Sequence, residues 1–445
     1  MDYQVHSLPF PVKPSLWFRG AMTIYRILSL WAIPLFWIIA QKRLKKKKED
    51  PLCLKQRFGI TDQPRPPGFV VWIHAASIGE TRMALSLTYQ LLKDNTDVHV
   101  LLTTQTLSAR QIVPKIPGIL HQMAPFDSII YVKRFFHHWR PCCAFILESE
   151  RWPNLLYEAF RCTIPLIGVN TKISEKSILR WGIAKRLFSE FLTLFSLCFT
   201  SSQKTKTQLL QASFKTIPVY VSPSLKYISF PDKDYTAVPI QTLKEFSTLW
   251  QKKDFSFKGR PYWLASCIHA SEVPFILNTH KALLTHTPDL LLVLIPRHLE
   301  PSNIFPLTSA YWSKKNTILK ETSLYIVDVF GQTQNFYQNA RFCVLGGSFS
   351  PIGGHNIIEP VAQGCAVIHG PHLHNCPELY APFIEKGASQ LVTDISSLTT
   401  AIQEFLIHPH HAKACAEQAY RLYGATQKEI QQYLEYLSSI YKKIK

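Results

Sequence analysis

The chain has 445 residues, enough for two domains with complete cores, and its hydrophobic fraction of 47% excludes general disorder. Lys and Arg outnumber Asp and Glu by 49 to 30, a net charge of +19, which points to an anionic partner such as nucleic acid, a membrane surface or a phosphorylated substrate. Ten cysteines scattered through apolar runs, with no Cys-x-x-Cys pair, argue against a zinc site and a disulfide scaffold, and are expected to be buried thiols in a reducing compartment.

Residues 20–40 carry one charge, Arg26, and Ile27–Ala40 carry none, whereas Lys42, Arg43 and Lys45–Lys48 follow at once. Spanning a bilayer takes about 20 apolar residues, so the segment 1–50 reads as a spanning helix with Arg26 snorkelling, or as an interfacial anchor. A buried core helix is the alternative. A cleaved signal peptide is disfavoured, because the positive charge follows the apolar run and no small-residue cleavage site is present. Either membrane reading puts the basic collar on the cytoplasmic side. The densest basic run adjoins this apolar segment, which disfavours nucleic acid as the partner.

From Phe69 onward, apolar runs alternate with helical stretches such as Thr81–Lys93. Strands are predicted at Phe69–His74, Val98–Thr103, Cys143–Leu147, Ile164–Val169 and Pro218–Val221. A second series is predicted at Tyr262–Ala265, Leu290–Ile295, Leu324–Val327, Phe342–Leu345 and Ala366–Ile368. Such alternation makes parallel α/β sheets, hence two Rossmann-like domains, over 51–228 and 255–426. The linker is placed at 229–254, around Ser229–Pro239. The closing segment 427–445 is predicted as an amphipathic helix with Ile430, Tyr433, Leu434, Leu437, Ile440, Tyr441 and Ile444 on one face.

Open α/β sheets bind ligands beyond the carboxyl ends of their strands, which directs attention to the residues just after each run. His74-Ala75-Ala76-Ser77-Ile78-Gly79-Glu80 puts Glu80 where a general base is useful, although Ser77 and Glu80 also have capping-box spacing. Leu147-Glu148-Ser149-Glu150-Arg151-Trp152-Pro153-Asn154 brings two carboxylates to another strand end, for charge stabilisation or for an ion pair with Arg151. The basic and aromatic stretch Lys176–Phe195 reads as a lipid-gripping helix or as an ordinary half-buried one.

In the second series, Pro296-Arg297-His298 follows its strand directly, and Arg297 is placed to meet a phosphate. His269 occupies an equivalent strand end. Gly346-Gly347-Ser348-Phe349-Ser350-Pro351-Ile352-Gly353-Gly354-His355-Asn356-Ile357-Ile358-Glu359-Pro360 reads as a strand, a double-glycine loop and a helix start at Val361-Ala362-Gln363, an order that brings backbone close to a phosphate. Asn356 and Glu359 also fit a capping box.

With these pieces in place, the chain resembles the lipid A Kdo (3-deoxy-D-manno-octulosonic acid) transferases, membrane-associated glycosyltransferases of GT-B fold with two Rossmann-like domains facing a central cleft. The motifs that carry the likeness run through both domains: Ala76-Ser77-Ile78-Gly79-Glu80-Thr81, Glu148–Asn154, Val169-Asn170, Ser224-Leu225-Lys226, Pro296-Arg297-His298, Gly346-Gly347-Ser348 and Gly353-Gly354-His355-Asn356 with Glu359. The resemblance implies that the second domain binds CMP-Kdo and the first a lipid A precursor, at the cytoplasmic face of the inner membrane. It implies Glu80 as catalytic base and Glu148 and Lys226 as transition-state stabilisers. It further implies that Pro296, Arg297, His298, Phe330, Gly331, Gln332, Gly353, Gly354, Asn356, Ile357, Ile358 and Glu359 contact CMP, with no cofactor and no metal.

The family includes members that add one Kdo and members that add several. The chain departs from the common pattern at Pro223, Ile228, Gln332, Ala270 and Lys172, positions that bear on donor detail and acceptor range rather than on reaction class. Read from residues alone, two alternatives stay open: another membrane-associated GT-B enzyme using a UDP-sugar and a lipid acceptor, and a non-catalytic, membrane-tethered nucleotide-binding protein.

Overall fold

The computed structural model describes residues 11–148, 152–172, 185–213, 217–228, 243–253, 256–257, 259–298, 309–315, 317–329 and 331–444. The expected linker at Ser229–Pro239 lies outside them, as do residues 176–184 of the basic stretch, whose remainder forms the helix Lys185–Leu192 with Phe188, Phe191 and Leu192 buried. The chain divides into two compact units, Met1–Val238 with Glu429–Lys445, and Pro239–Lys428.

The first unit is built on seven parallel strands: β1 (Phe69–Ala75), β2 (Val98–Thr104), β3 (Ile119–Met123), β4 (Cys143–Leu147), β5 (Leu166–Val169), β6 (Leu197–Thr200) and β7 (Val219–Val221). Their order is β3-β2-β1-β4-β5-β6-β7. β1 pairs in parallel on both sides, with His74 opposite Thr103 and Ile146. Parallel sheets are covered on both faces, so its strand is a continuous apolar run rather than an alternating one. Trp72 is fully buried, edge-on to Phe135 and Phe136. Its indole N–H donates to Thr103 Oγ1 at 2.8 Å, and His74 Nδ1 meets the same hydroxyl at 2.8 Å. Burial, with Arg57 nearby, pushes His74 down to about 4, so the imidazole is neutral and structural.

The second unit has eight strands: β8 (Ser256–Phe257), β9 (Arg260–Ile268), β10 (Leu291–Pro296), β11 (Ser309–Tyr311), β12 (Leu324–Ile326), β13 (Phe342–Leu345), β14 (Ala366–His369) and β15 (Gln390–Leu391). Seven run parallel in the order β11-β12-β10-β9-β13-β14-β15, and β8 pairs antiparallel with β9. The ten predicted strands are all present. Of the ten cysteines, all free, Cys162 is exposed and Cys142, Cys267, Cys376 and Cys415 are half-buried, so full burial holds for only part of the set.

The N-terminal apolar segment forms two helices, Leu16–Trp31 and Ile33–Lys45, which meet at Ala32 with a bend of 56°. No single described helix is long and apolar enough to cross a membrane. Arg26 does not snorkel: it pairs with Glu158 at 3.1 Å and lies over the Tyr157 ring. Phe18 and Met22 enter the core, Phe18 edge-on to Tyr157 and Phe191. The remaining faces expose Ile24, Leu28, Leu35 and Trp37, with Leu16 and Trp31 each 82% exposed. Together the two helices have the length and apolar composition of a bent span or re-entrant pair, but Arg26, rather than snorkelling, has a partner on the unit itself.

Part of the basic collar is likewise committed. Glu49 is buried and accepts from Arg43 Nε at 2.7 Å and from Arg57 Nη2 at 2.9 Å. Arg57 also donates to Gln105 Oε1 and Ala124 O, each at 3.0 Å, which satisfies a guanidinium that would otherwise be costly to bury.

The last helix runs from Pro409 to Lys442, starting well before the predicted residue 427. Gly424 does not break it, since a mid-helix glycine costs only about 1 kcal/mol relative to alanine. Its predicted apolar face is buried from Ile430 to Tyr441, while Ile444 lies past the helix end and is half-buried. Tyr433 packs edge-on to Phe199, and Gln431 Nε2 donates to Gln90 Oε1 at 3.0 Å, which explains why this stretch belongs to the first unit.

Asp127 ties three elements of the first unit together. Its carboxylate accepts from Tyr25 Oη at 2.9 Å, Asn154 N at 3.1 Å and Leu155 N at 3.0 Å, joining the first helix to the start of Pro153–Arg161. Burial outweighs these bonds and raises the group from 3.8 to about 6. The native state therefore takes up this proton before the unfolded chain does. The charge penalty, on the order of 3 kcal/mol, is present above pH 6 and relieved as pH falls toward 4. Urea titrations between pH 4 and 7 should show a stabilising contribution on acidification that is absent in Asp127→Asn; identical slopes in the two proteins would contradict it.

Candidate functional site

β1 ends at Ala75 and the chain turns into the helix Ile78–Asp94, capped by Ser77. Ser77 Oγ accepts from Glu80 N at 3.4 Å, while Glu80 Oε1 accepts from the Ser77 hydroxyl at 2.8 Å and Oε2 from Ala76 N at 2.8 Å. Only half of a capping box is thus formed, since Glu80 bonds the Ser77 hydroxyl and the Ala76 amide rather than the Ser77 amide. It also fixes the carboxylate at the carboxyl end of β1, 9% exposed beneath exposed Ser77, Ile78 and Gly79.

At the end of β4, Glu148 adopts φ +56, and at the end of β5 Asn170 adopts φ +52. Left-handed backbone costs a non-glycine residue about 1–2 kcal/mol, and strain of this kind collects at functional sites. Three donors meet one oxygen: Glu148 Oε1 is 2.7 Å from Lys226 Nζ, 3.3 Å from Asn170 Nδ2 and 4.0 Å from Lys172 Nζ. Asn170 is held in turn by the Ser224 hydroxyl, which donates to its Oδ1 at 3.3 Å. Met83, one turn beyond Glu80, touches Asn170 Nδ2 through its sulfur at 3.8 Å. Glu148 and Lys226 are therefore brought together. The bracing by Asn170 was not read from the sequence, where a lone Asn after an apolar run gives little warning. Ser149, Glu150, Arg151 and Phe330 lie outside the described residues.

In the second unit, Arg297 and His298 emerge exposed from β10, with Arg297 N bonded to Ile268 O at 2.9 Å. His269 follows β9, and its Nε2 lies 2.8 Å from His355 Nε2, with the ring planes 5° apart. The His298 ring stands edge-on to His269 at 5.6 Å. Burial first, then the charges of Arg297, His269 and His298, push His355 down to about 4. Glu359, in the first turn of Ile358–Ala362, helps burial raise the Cys267 thiol, and Arg297 opposes it. Both charges thus reach one spot at the carboxyl ends of β9, β10 and β13.

The glycine-rich stretch is built differently from the predicted phosphate cradle. Gly347, at φ +72, accepts through its carbonyl from Gly353 N at 3.1 Å and Gly354 N at 2.7 Å. These two N–H groups close the turn, so the expectation that they meet a departing phosphate is corrected. Gly347 N and Phe349 N donate to the buried carboxylate of Glu272 at 2.8 and 2.9 Å. Asn356 Oδ1 accepts from Ile358 N at 3.1 Å, and the side chain that caps this turn is not part of a capping box. The helix ends at Ala362, where the sequence predicted its start, as Gly364 enters φ +71. Ile357 and Ile358 are fully buried, so their side chains belong to the core. Gln332 turns its amide oxygen onto Asn335 Nδ2 at 2.9 Å, while Gly331 before it adopts φ +83. Glu272 was missed in the sequence; the signal was its capping-box spacing to His269.

Known proteins resemble the chain in sequence and in fold. Residues 53–229 match the family profile described as 3-deoxy-D-manno-octulosonic-acid transferase (kdotransferase). A probable mitochondrial 3-deoxy-D-manno-octulosonic acid transferase from Arabidopsis thaliana is 33% identical over 79% of this chain and 79% of its own length. The 3-deoxy-D-manno-octulosonic acid transferase of Rickettsia bellii is 28% identical over 94% of this chain and all of its own. Among solved structures, the UDP-GlcNAc 2-epimerase of Neisseria meningitidis superposes with a TM-score of 0.54 at 14% identity, covering 82% of this chain and 99% of that one. That likeness shows the fold, two Rossmann-like units of the GT-B class.

The charges around His355 give a direct test of the site's geometry. By NMR its imidazole should titrate near pH 4, and Arg297→Ala should raise the midpoint, since a cation is removed. An unchanged midpoint would mean that the guanidinium does not face the imidazole.

Proposed function

Because this chain belongs to the 3-deoxy-D-manno-octulosonic acid transferase family, and is thus a glycosyltransferase that transfers Kdo in lipopolysaccharide synthesis, we propose that it moves Kdo from CMP-Kdo to a lipid A precursor with release of CMP. The observation that carries the donor half is the convergence of Arg297, His269, His298, His355 and Glu359 at one set of strand ends. In this reading Arg297 meets the phosphate and Glu359 accepts from the ribose hydroxyls. Pro296, His298, Gly331, Gln332, Gly353, Gly354 and Asn356 line the same site, Gly353 and Gly354 by giving the turn its shape.

Transfer at an anomeric carbon passes through an oxocarbenium-like state, in which the leaving group departs as an acceptor hydroxyl attacks. Glu80 is proposed to take that hydroxyl's proton. Its Oε1 already accepts from the Ser77 hydroxyl at 2.8 Å, the geometry that an acceptor hydroxyl has to reproduce. Lys226, paired with Glu148 at 2.7 Å, is the cation proposed to meet anionic groups of the donor, while the Glu148 carboxylate offsets the positive charge that grows on the sugar as the bond breaks. With Arg297 and Lys226 supplying positive charge, no divalent metal is required in this scheme.

The acceptor half rests on the apolar surface of the first unit. Exposed Trp31, Leu35 and Trp37 adjoin an open groove lined by Ile33, Ile38 and Phe58, with the cations Lys55 and Arg134 on it. This pattern suits acyl chains with anionic headgroups and an interfacial position at the cytoplasmic face of the inner membrane.

Incubation with CMP-Kdo and a lipid A precursor, with chelator present, should give Kdo-bearing products by mass analysis, and UDP-sugars should give none; the reverse donor preference would overturn the assignment. Glu80→Gln keeps an oxygen and an amide able to hold the cap but loses the base. It should melt within about 2 °C of the parent protein while transfer falls by roughly 10²-fold or more. Normal turnover in that variant would remove Glu80 as base. Trp31→Asp should weaken co-flotation with anionic vesicles while leaving CMP binding unchanged, and undiminished flotation would count against the interfacial anchor.

A further inference from the structure

We propose that Glu272 is a positioning residue for donor binding: its carboxylate pins the main chain on either side of the site so that the His269 and His355 imidazoles meet. This rests on the reading of the Arg297, histidine and Glu359 cluster as the donor site. Glu272 is 1% exposed, a depth at which a carboxylate needs full hydrogen bonding. Its Oε2 accepts from His269 N at 3.0 Å and Gly347 N at 2.8 Å, and its Oε1 from Phe349 N at 2.9 Å. A helix cap uses only the first of these bonds. The other two come from the loop after β13, 75 and 77 residues further along the chain.

Backbone N–H groups gathered in a glycine loop form a concavity suited to an anion. Here the protein's own carboxylate fills it, so the loop has its shape before any ligand arrives. The consequence falls on the two histidines. A Cβ on Gly347 would lie 2.7 Å from the His355 ring, so this imidazole packs directly on backbone that Glu272 holds. Glu272 also holds His269 N, and the two Nε2 atoms stand 2.8 Å apart. One ring must donate an N–H and the other accept it, which requires at least the acceptor to be neutral. Burial lowers both imidazoles, in keeping with a neutral pair.

The full-length enzyme with Glu272→Gln tests this, since the amide keeps the size but sets N–H against N–H. Steady-state kinetics should show the Michaelis constant for CMP-Kdo rising about tenfold or more with kcat within about threefold, the loss expected when charge-assisted bonds are broken. The downfield proton resonance shared by the two imidazoles should vanish in the same protein. An unchanged Michaelis constant, or a retained resonance, overturns the proposal. Should the Gln variant not fold, His355→Asn removes the pair with the carboxylate intact; it should give the same rise, and an unchanged donor constant there overturns the proposal equally. Calorimetry of the parent enzyme with CMP separates the two readings. Absence of CMP binding removes the donor assignment, whereas the resonance and its loss in Glu272→Gln still decide what Glu272 positions.

Discussion

Parallel pairing is the constraint from which the sites follow. In each unit the strands of the main path run the same way, so their carboxyl ends emerge along one edge, and residues far apart in sequence arrive there together. The first unit's edge collects Glu80 after β1, Glu148 after β4, Asn170 after β5 and Lys226 after β7. The second collects His269, Arg297 and the Gly346–Glu359 stretch after β9, β10 and β13. Hydrogen-bonded ladders such as β1 with β2, seven residues long, make this edge rigid enough to hold left-handed backbone at Glu148 and Asn170.

Charge has been divided between structure and recognition. Arg57, Arg43 and Arg26 are spent on Glu49 and Glu158, where they dock the N-terminal helices onto the first unit. The apolar residues left outside are consequently held in a fixed pattern, with Trp31 and Leu35 outward while Phe18 packs inward. The net charge of +19 alone did not distinguish these roles. Only partners at hydrogen-bond distance separate a structural guanidinium from one that awaits a ligand.

Much of the fold was legible because buried parallel strands are apolar throughout, as Phe69–Ala75 and Leu291–Pro296 are. β3 escaped because His121 and Gln122 interrupt its run, and β6 because Leu197–Thr200 continues the apolar tail of the preceding helix without a break. At the sites, residue types were readable but not their geometry. Ser77 with Glu80 fitted a cap and a catalytic group equally well in sequence, and the structure forms the cap while keeping the carboxylate at the strand end. The glycine stretch suggested free amides; Gly353 N and Gly354 N are taken by Gly347 O inside the loop, Gly347 N and Phe349 N by Glu272, and no pattern within the loop announces a partner some 75 residues away.

The account stands on the second unit holding a nucleotide at the ends of β9, β10 and β13. The chain has 17 histidines, of which His269, His298 and His355 lie at that place, so selective nitrogen-15 labelling of histidine reads it directly. Addition of CMP should shift the resonances of these three and leave those of His74, His121 and His408 where they were. Shifts confined to other histidines, with CMP bound, would contradict the account.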